Sequence, residues 1–307
     1  MLAIVLALGA SIGWGSGDFL AGLTTRRASL WAVIVGSQAT GLVGATLVVV
    51  LAGHRWPGLH AVWPVLLGGL ASVVAISCFY KALAIGSMSI VAPISAANAL
   101  IPFLAGLAAG ERPSALQLAG VALAAAGVVL VASERARAGD TIGVAALPNE
   151  PAVEPAAVTS AQIAAHPSRR NQRRAVVLAL AAAVMMGLVL VGYDATARYD
   201  ALWAMLGGRI SSAVVFTVVF LVLRPRFAMR RSALPFVVAV GLLDTGSNGL
   251  FALATTHGYL SLVSVLGAVY PVVTVLLAYG LLRERVAPHQ MVGAVGALAG
   301  VALIAAG

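Results

Sequence analysis

Apolar residues run along this chain in blocks of about 20, each long enough for one helix to cross a hydrocarbon layer roughly 30 Å thick. Ten such blocks stand at about 2–23, 30–53, 62–85, 88–110, 114–133, 175–197, 201–223, 232–256, 259–282 and 287–306. The breaks between them are short. Little more than Gly86 separates the third block from the fourth, and His257-Gly258 separates the eighth from the ninth. Such links make consecutive helices antiparallel neighbours. The pattern predicts an all-α integral membrane protein with ten transmembrane helices.

One connection differs. Residues 134–174 hold Pro148, Pro151, Pro155 and Pro167, with acids and arginines but no apolar periodicity. This stretch reads as a flexible charged linker between two halves, 1–133 and 175–307. Its end, Arg169-Arg170-Asn171-Gln172-Arg173-Arg174, is a basic cluster next to a membrane span, suited to anionic lipid headgroups.

The halves are copies. At a constant spacing of 172 residues Gly15 matches Gly187, Trp31 matches Trp203, Gly69 matches Gly241, Phe79 matches Phe251 and Ser89 matches Ser261. After a one-residue insertion Glu111-Arg112 matches Glu284-Arg285, Gln117 matches Gln290, Gly120 matches Gly293 and Gly127 matches Gly300. Five spans per copy is an odd number, so the second copy enters the membrane upside down. Two inverted five-helix repeats are a plan of secondary transporters, with the substrate held near the midplane.

Composition agrees. The chain of 307 residues is 61% hydrophobic and 9% charged, against about 25% charged in a soluble domain, and its mean hydropathy is +1.01. The formal charge of +9 does not point to nucleic acid, because nearly all basic residues lie in connections between spans, where they set topology. One cysteine, Cys78, permits neither an intrachain disulfide nor a cysteine metal site. The five histidines are scattered, no cofactor or metal site is expected, and no phosphate-binding loop that would use ATP is present. An enzyme would need a paired acid and base near one membrane face, and none is visible.

The stretches 110–130 (GERPSALQLAGVALAAAGVVL) and 283–303 (RERVAPHQMVGAVGALAGVAL), with 13–19 (GWGSGDF), resemble the EamA-type family of the drug/metabolite transporter superfamily. The resemblance covers nearly the whole chain outside the linker. The second copy departs from it at Arg283, where the family has glycine. The resemblance implies a carrier for small metabolites, amino acids or drugs. Its cavity would be lined by the first, third, fourth, sixth, eighth and ninth helices, with the fifth and tenth packed at the side.

Polar residues inside the spans are the candidate site. A charge at the bilayer centre costs on the order of 2.5–3.5 kcal/mol on insertion scales, so such residues face the bundle interior and serve a purpose. Asp244 sits midway along the eighth span, with Asn248 and Phe251 on the same face. It either holds substrate or a proton in the cavity, or fastens the helix by an ion pair with Arg209, which lies too deep in the seventh span to reach water. Asp18 follows Trp14 by one turn, a pairing suited to an amine or other cation; the competing reading pairs it with Arg26 or Arg27. Asp194 has Arg198 four residues on, which reads as a structural ion pair. Tyr80, Lys81, Ser95, Asn98 and Tyr270 complete the candidate substrate or proton set. Lys81 is also placed to snorkel, and Pro271 beside Tyr270 either frees carbonyls for a ligand or merely kinks its helix. Gly120, Gly127, Gly293, Gly296 and Gly300 give the fifth and tenth spans smooth faces for close helix packing.

These features point to a carrier working by alternating access in a bacterial cytoplasmic membrane, with proton-coupled efflux as one form. A passive channel or pore for small solutes is the competing reading. The expected partners are the lipid bilayer, a small-molecule substrate and protons, with the protein a monomer or weak homodimer. Orientation is contested. Arginines concentrate in the odd-numbered connections, which places both termini outside, whereas the family's usual arrangement has both inside.

Overall fold

The computed structural model describes residues 1–25, 28–85, 91, 94, 97–132, 169–225, 227–282 and 287–307. Eleven helices are named here: α1 (Leu2–Thr24), α2 (Leu30–Leu51), α3 (Leu59–Ile85), α4 (Leu100–Ala108), α5 (Ala115–Ala132), α6 (Arg169–Ala197), α7 (Ala201–Leu223), α8 (Leu234–His257), α9 (Leu260–Gly267), α10 (Tyr270–Leu282) and α11 (Pro288–Ala306). Among the described residues there is no strand, only an isolated bridge between Ala28 and Met229. Among the described residues nine spans are long and apolar enough to cross a membrane, α9 and α10 together forming one of them. A shorter apolar segment, Ala97–Ala108, makes the tenth. Helices suit this setting because they satisfy their backbone groups internally, where no water is available.

Local chemistry fixes many of the ends. Ser29 caps α2, accepting from the Ala32 amide at 3.3 Å. Asp200 caps α7, accepting from Leu202 and Trp203 at 2.8 and 3.0 Å. Ser114 and Gln117 form a reciprocal box at the start of α5, with bonds of 2.9 and 3.1 Å. In the second copy the matching Gln290 reaches back to the Ala287 amide at 3.2 Å, and Pro288 opens the helix. Gly110 turns the chain after α4 at φ +94, a conformation open to glycine. Its counterpart Arg283, with Glu284 and Arg285, lies outside the described residues.

Two boundaries differ from the sequence reading. α6 begins at Arg169 rather than 175. Arginine and glutamine are good helix formers, so the basic end of the linker continues the helix beyond the apolar run that hydropathy detects. The rest of the linker, 134–168, lies outside the described residues. Of the fourth span, the described part is chiefly a 3₁₀ turn, Ala97–Ala99, leading into α4, and most of 86–96 lies outside the described residues. The ninth is broken between α9 and α10. There Val269 donates to the Leu266 carbonyl at 3.4 Å and Val272 to the Val269 carbonyl at 2.9 Å, so tighter turns keep the backbone bonded across the break. Pro271 falls in the first turn of α10, where its missing N–H leaves nothing unpaired.

The packing carries the repeat into three dimensions. α3 lies along α6, and its counterpart α8 lies along α1. α3 also touches α7, as α8 touches α2. The self-paired sets are α2 with α7, α4 with α9, and α5 with α11. The last seam is built on glycine. A Cβ at Gly127 would lie 2.5 Å from the Gly293 carbonyl oxygen, and one at Gly293 would lie 2.7 Å from the Gly127 carbonyl oxygen. Gly120 and Gly300 face each other's carbonyls in the same way, at 2.7 and 2.6 Å. Gly296 has more room, its nearest neighbours standing 3.9 Å away.

Gly127→Leu and Gly300→Leu should therefore force α5 from α11 and lower both folded yield and melting temperature. Gly296→Ala should be tolerated. Fluorescence-detected gel filtration and a thermal ramp on detergent-solubilised protein measure both effects; an unshifted Gly127→Leu would contradict the seam.

Candidate functional site

The site grows from the middle of α8. Asp244 lies at the midpoint of that helix, and its carboxylate accepts a hydrogen bond from the Arg209 guanidinium on α7. Arg209 is 3% exposed. A second nitrogen of the same guanidinium donates to the Gln38 side-chain oxygen on α2 at 3.2 Å, and Ser212 donates to that oxygen at 3.0 Å. One buried cation thus ties α2, α7 and α8. The Asp244 side chain stays 43% exposed, so the pair is closed on the arginine side and open on the other.

The open side faces α1. Asp18 lies close enough to Asp244 and to Tyr270 for their charges and dipoles to act on one another. Asp18 is exposed and makes no hydrogen bond or ion pair with a described residue; Arg26 and Arg27 lie outside the described residues. Trp14, one turn before Asp18, stands 5.7 Å from the Phe251 ring and meets Tyr270 edge-on at 6.4 Å. Tyr193 of α6, buried beneath the site, lies within the field of Arg209 and Asp244.

Small residues let these helices approach. Gly15 lies on the Tyr270 carbonyl, where a Cβ would be 2.5 Å from the oxygen. Thr274 clamps the same place, donating to the Gly15 carbonyl at 3.0 Å. Ser247 is spent on packing: its hydroxyl donates to the Leu243 carbonyl at 2.7 Å, and the side chain sits against Gly13. Asn248 is half-buried one turn beyond Asp244.

The structure thus gathers Trp14, Asp18, Asp244 and Tyr270 from the sequence-derived set. Asn98 lies on the opposite copy, its carbonyl against Gly187. Lys81 is exposed on α3. Ser95 and the side chain of Tyr80 lie outside the described residues. Asp194 pairs with Arg198, which donates to it at 2.8 and 3.2 Å near the end of α6.

Sequence reasoning missed Gln38 and Tyr193, neutral residues whose importance lies in what they touch. It also missed the use of Glu111. This carboxylate accepts from the Leu260 and Ser261 amides at 2.7 and 2.9 Å, capping α9 from the other copy. On the same face His54 meets Asp200 at 2.5 Å and Trp56 packs edge-on against Trp203 at 4.8 Å. Trp203, in the first turn of α7, takes part in this tie.

A family model described as the EamA-like transporter family matches residues 1–133 and 173–306. The chain belongs to the EamA-like transporter family. Members are membrane transporters of small solutes rather than enzymes, and this EamA-like chain is a multi-pass membrane protein. Among curated proteins none matches it. A solved crystal structure, described only as that of a protein, aligns with a TM-score of 0.72 over 98% of this chain and 95% of the other, at 18% identity. That likeness concerns the fold alone.

The buried pair predicts an unequal pair of variants. Asp244→Asn leaves Arg209 without a counter-charge, which costs about 3–5 kcal/mol when such a pair is broken in a protein interior. It should lower the melting temperature, and adding Arg209→Gln should recover most of the loss. Thermal unfolding of both variants checks this; equal stability of the single variant and wild type would show that Arg209 does not need the acid.

Proposed function

We propose that this protein is a secondary carrier that moves a small metabolite, amino acid or drug-like compound by alternating access. The cargo site lies among Trp14, Asp18, Asp244, Asn248 and Tyr270. The observation that supports this reading best is the half-open acid pair. Asp244 is held by Arg209 on one side and turned toward Asp18 on the other, between halves that pack as an inverted repeat. A carrier needs a central polar group that either face can reach in turn, and the inverted plan supplies two alternative closures around one site.

Protons are proposed as the coupling ion, with the central carboxylates as their carriers. The proposed setting is a bacterial cytoplasmic membrane, with the chain acting as a monomer or weak homodimer. Both termini are assigned to the outside, from the excess of arginine in the odd-numbered connections. A C-terminal reporter active only in the cytoplasm should remain silent; a signal would reverse the orientation.

Counterflow in liposomes separates carrier from channel. Labelled solute outside should accumulate transiently against unlabelled solute inside, because a carrier exchanges one for the other and a pore does not. The double variant Asp244→Asn with Arg209→Gln should be folded yet transport at least about tenfold more slowly. Full activity in that double variant would reduce Asp244 to a helix fastener.

A further inference from the structure

The two copies have diverged unevenly around the centre of the bundle. In their shared register Trp14 corresponds to Met186, Asp18 to Leu190, Asp244 to Ser72 and Tyr270 to Asn98. The register holds in space. Gly15 lies on the Tyr270 carbonyl and Gly187 on the Asn98 carbonyl, with Cβ positions 2.5 and 2.6 Å from the two oxygens. The acids of the central set therefore fall on α1 and α8. The matching places on α6 and α3 hold neutral or apolar side chains.

Among the described residues the charges on the acidic side do not cancel. Arg209 neutralises Asp244. Asp18, on the stretch of α1 where Gly13 and Gly17 pack against Ser247 and Leu243 of α8, has no hydrogen bond or ion pair to any described residue. An ionised group within a span is costly to maintain unless something of opposite charge meets it. Trp14 stands one turn away with Phe251 and Tyr270 around it. An indole face attracts a positive charge through its quadrupole, most strongly where water is excluded. Trp14 also packs against the apolar cluster that holds Phe251.

We infer that the central site takes a singly charged, amphipathic organic cation, its ammonium or similar head between Asp18 and Trp14 and its apolar body along the Trp14 and Tyr270 rings. One positive charge matches Asp18, the carboxylate of this set that has no partner among the described residues. An anion meets the wrong sign. A small hydrophilic cation satisfies Asp18 but gains little from the rings. The inference rests on the carrier reading for the cargo to be moved, and on the site alone for it to be held.

The test is equilibrium binding to purified full-length protein, kept apart from transport. The probes are benzyltrimethylammonium, its neutral carbon analogue neopentylbenzene, and the anion phenylacetate, each followed by calorimetry. The cation should bind, with the neutral analogue and the anion at least about tenfold weaker. Asp18→Asn should weaken the cation at least about tenfold, while Asp18→Glu, which keeps the charge, should retain most of the binding. Gel filtration and melting temperature identify any variant that fails to fold, and Asp18→Glu with the three-probe series then carries the result. Equal binding of the anion, or cation binding unchanged in folded Asp18→Asn, would overturn the inference. Failure of the carrier reading looks different: the cation binds but shows no counterflow. Conversely, counterflow of another solute without cation binding leaves the carrier standing and sinks this proposal.

Discussion

A guanidinium buried at the middle of a membrane-spanning helix must be matched where it lies, because neither water nor lipid will meet it. Arg209 imposes that condition on α7, and two other helices answer it. Asp244 comes from α8 and Gln38 from α2, while Ser212, one turn farther along α7, donates to the same Gln38 oxygen and holds it in place. With those partners in place, the angular setting of α8 is fixed. Its other face then turns toward α1, which puts Asp244 beside Asp18 and Phe251 beside Trp14. The arrangement of the candidate site follows from the need to satisfy one cation.

One seam between the halves has almost no polar chemistry along its middle. The seam of α5 and α11 is backbone against backbone, held by dispersion and shape. Close approach replaces polar fastening there, and the polar fasteners gather near the ends. Glu111 caps α9, His54 meets Asp200, and Ser29 binds the Ala228 backbone on the opposite face. Within the spans the copies are also joined by single hydrogen bonds, such as Thr274 to the Gly15 carbonyl at 3.0 Å, each satisfied where no water would replace it.

Much of this was legible along the chain because the membrane enforces a coarse rule, about 20 apolar residues per span. The same rule explains the errors. Hydropathy detects what lies in hydrocarbon, so it was blind to Arg169–Arg174 as helix. It read 259–282 as one helix because Leu260–Gly267 and the residues after it are equally apolar. Asp244 and Arg209 stood out by their charge, and one reading joined them, since buried opposites seek each other. Gln38 and Tyr193 carry no charge, and their role exists only after α2 and α6 have packed. Glu111 was legible as a repeated turn residue, whereas its partners on α9 lie about 150 positions farther along the chain and are backbone amides, which leave no trace in residue identity.

The uneven divergence of the two copies bears on motion. In a carrier that cycles by exchanging the conformations of its halves, identical copies would give two end states of equal free energy, like the two poses of a symmetric seesaw. Here the seesaw is loaded on one arm. The acids, the guanidinium and the indole belong to one side of the two-fold, so exchange moves them between environments that differ, while Leu190 and Ser72 move at little electrostatic cost. For the carrier proposed above, the empty protein accordingly favours one pose over the other. That bias sets how often each face stands open at rest, and it leaves the direction of net transport to the gradients.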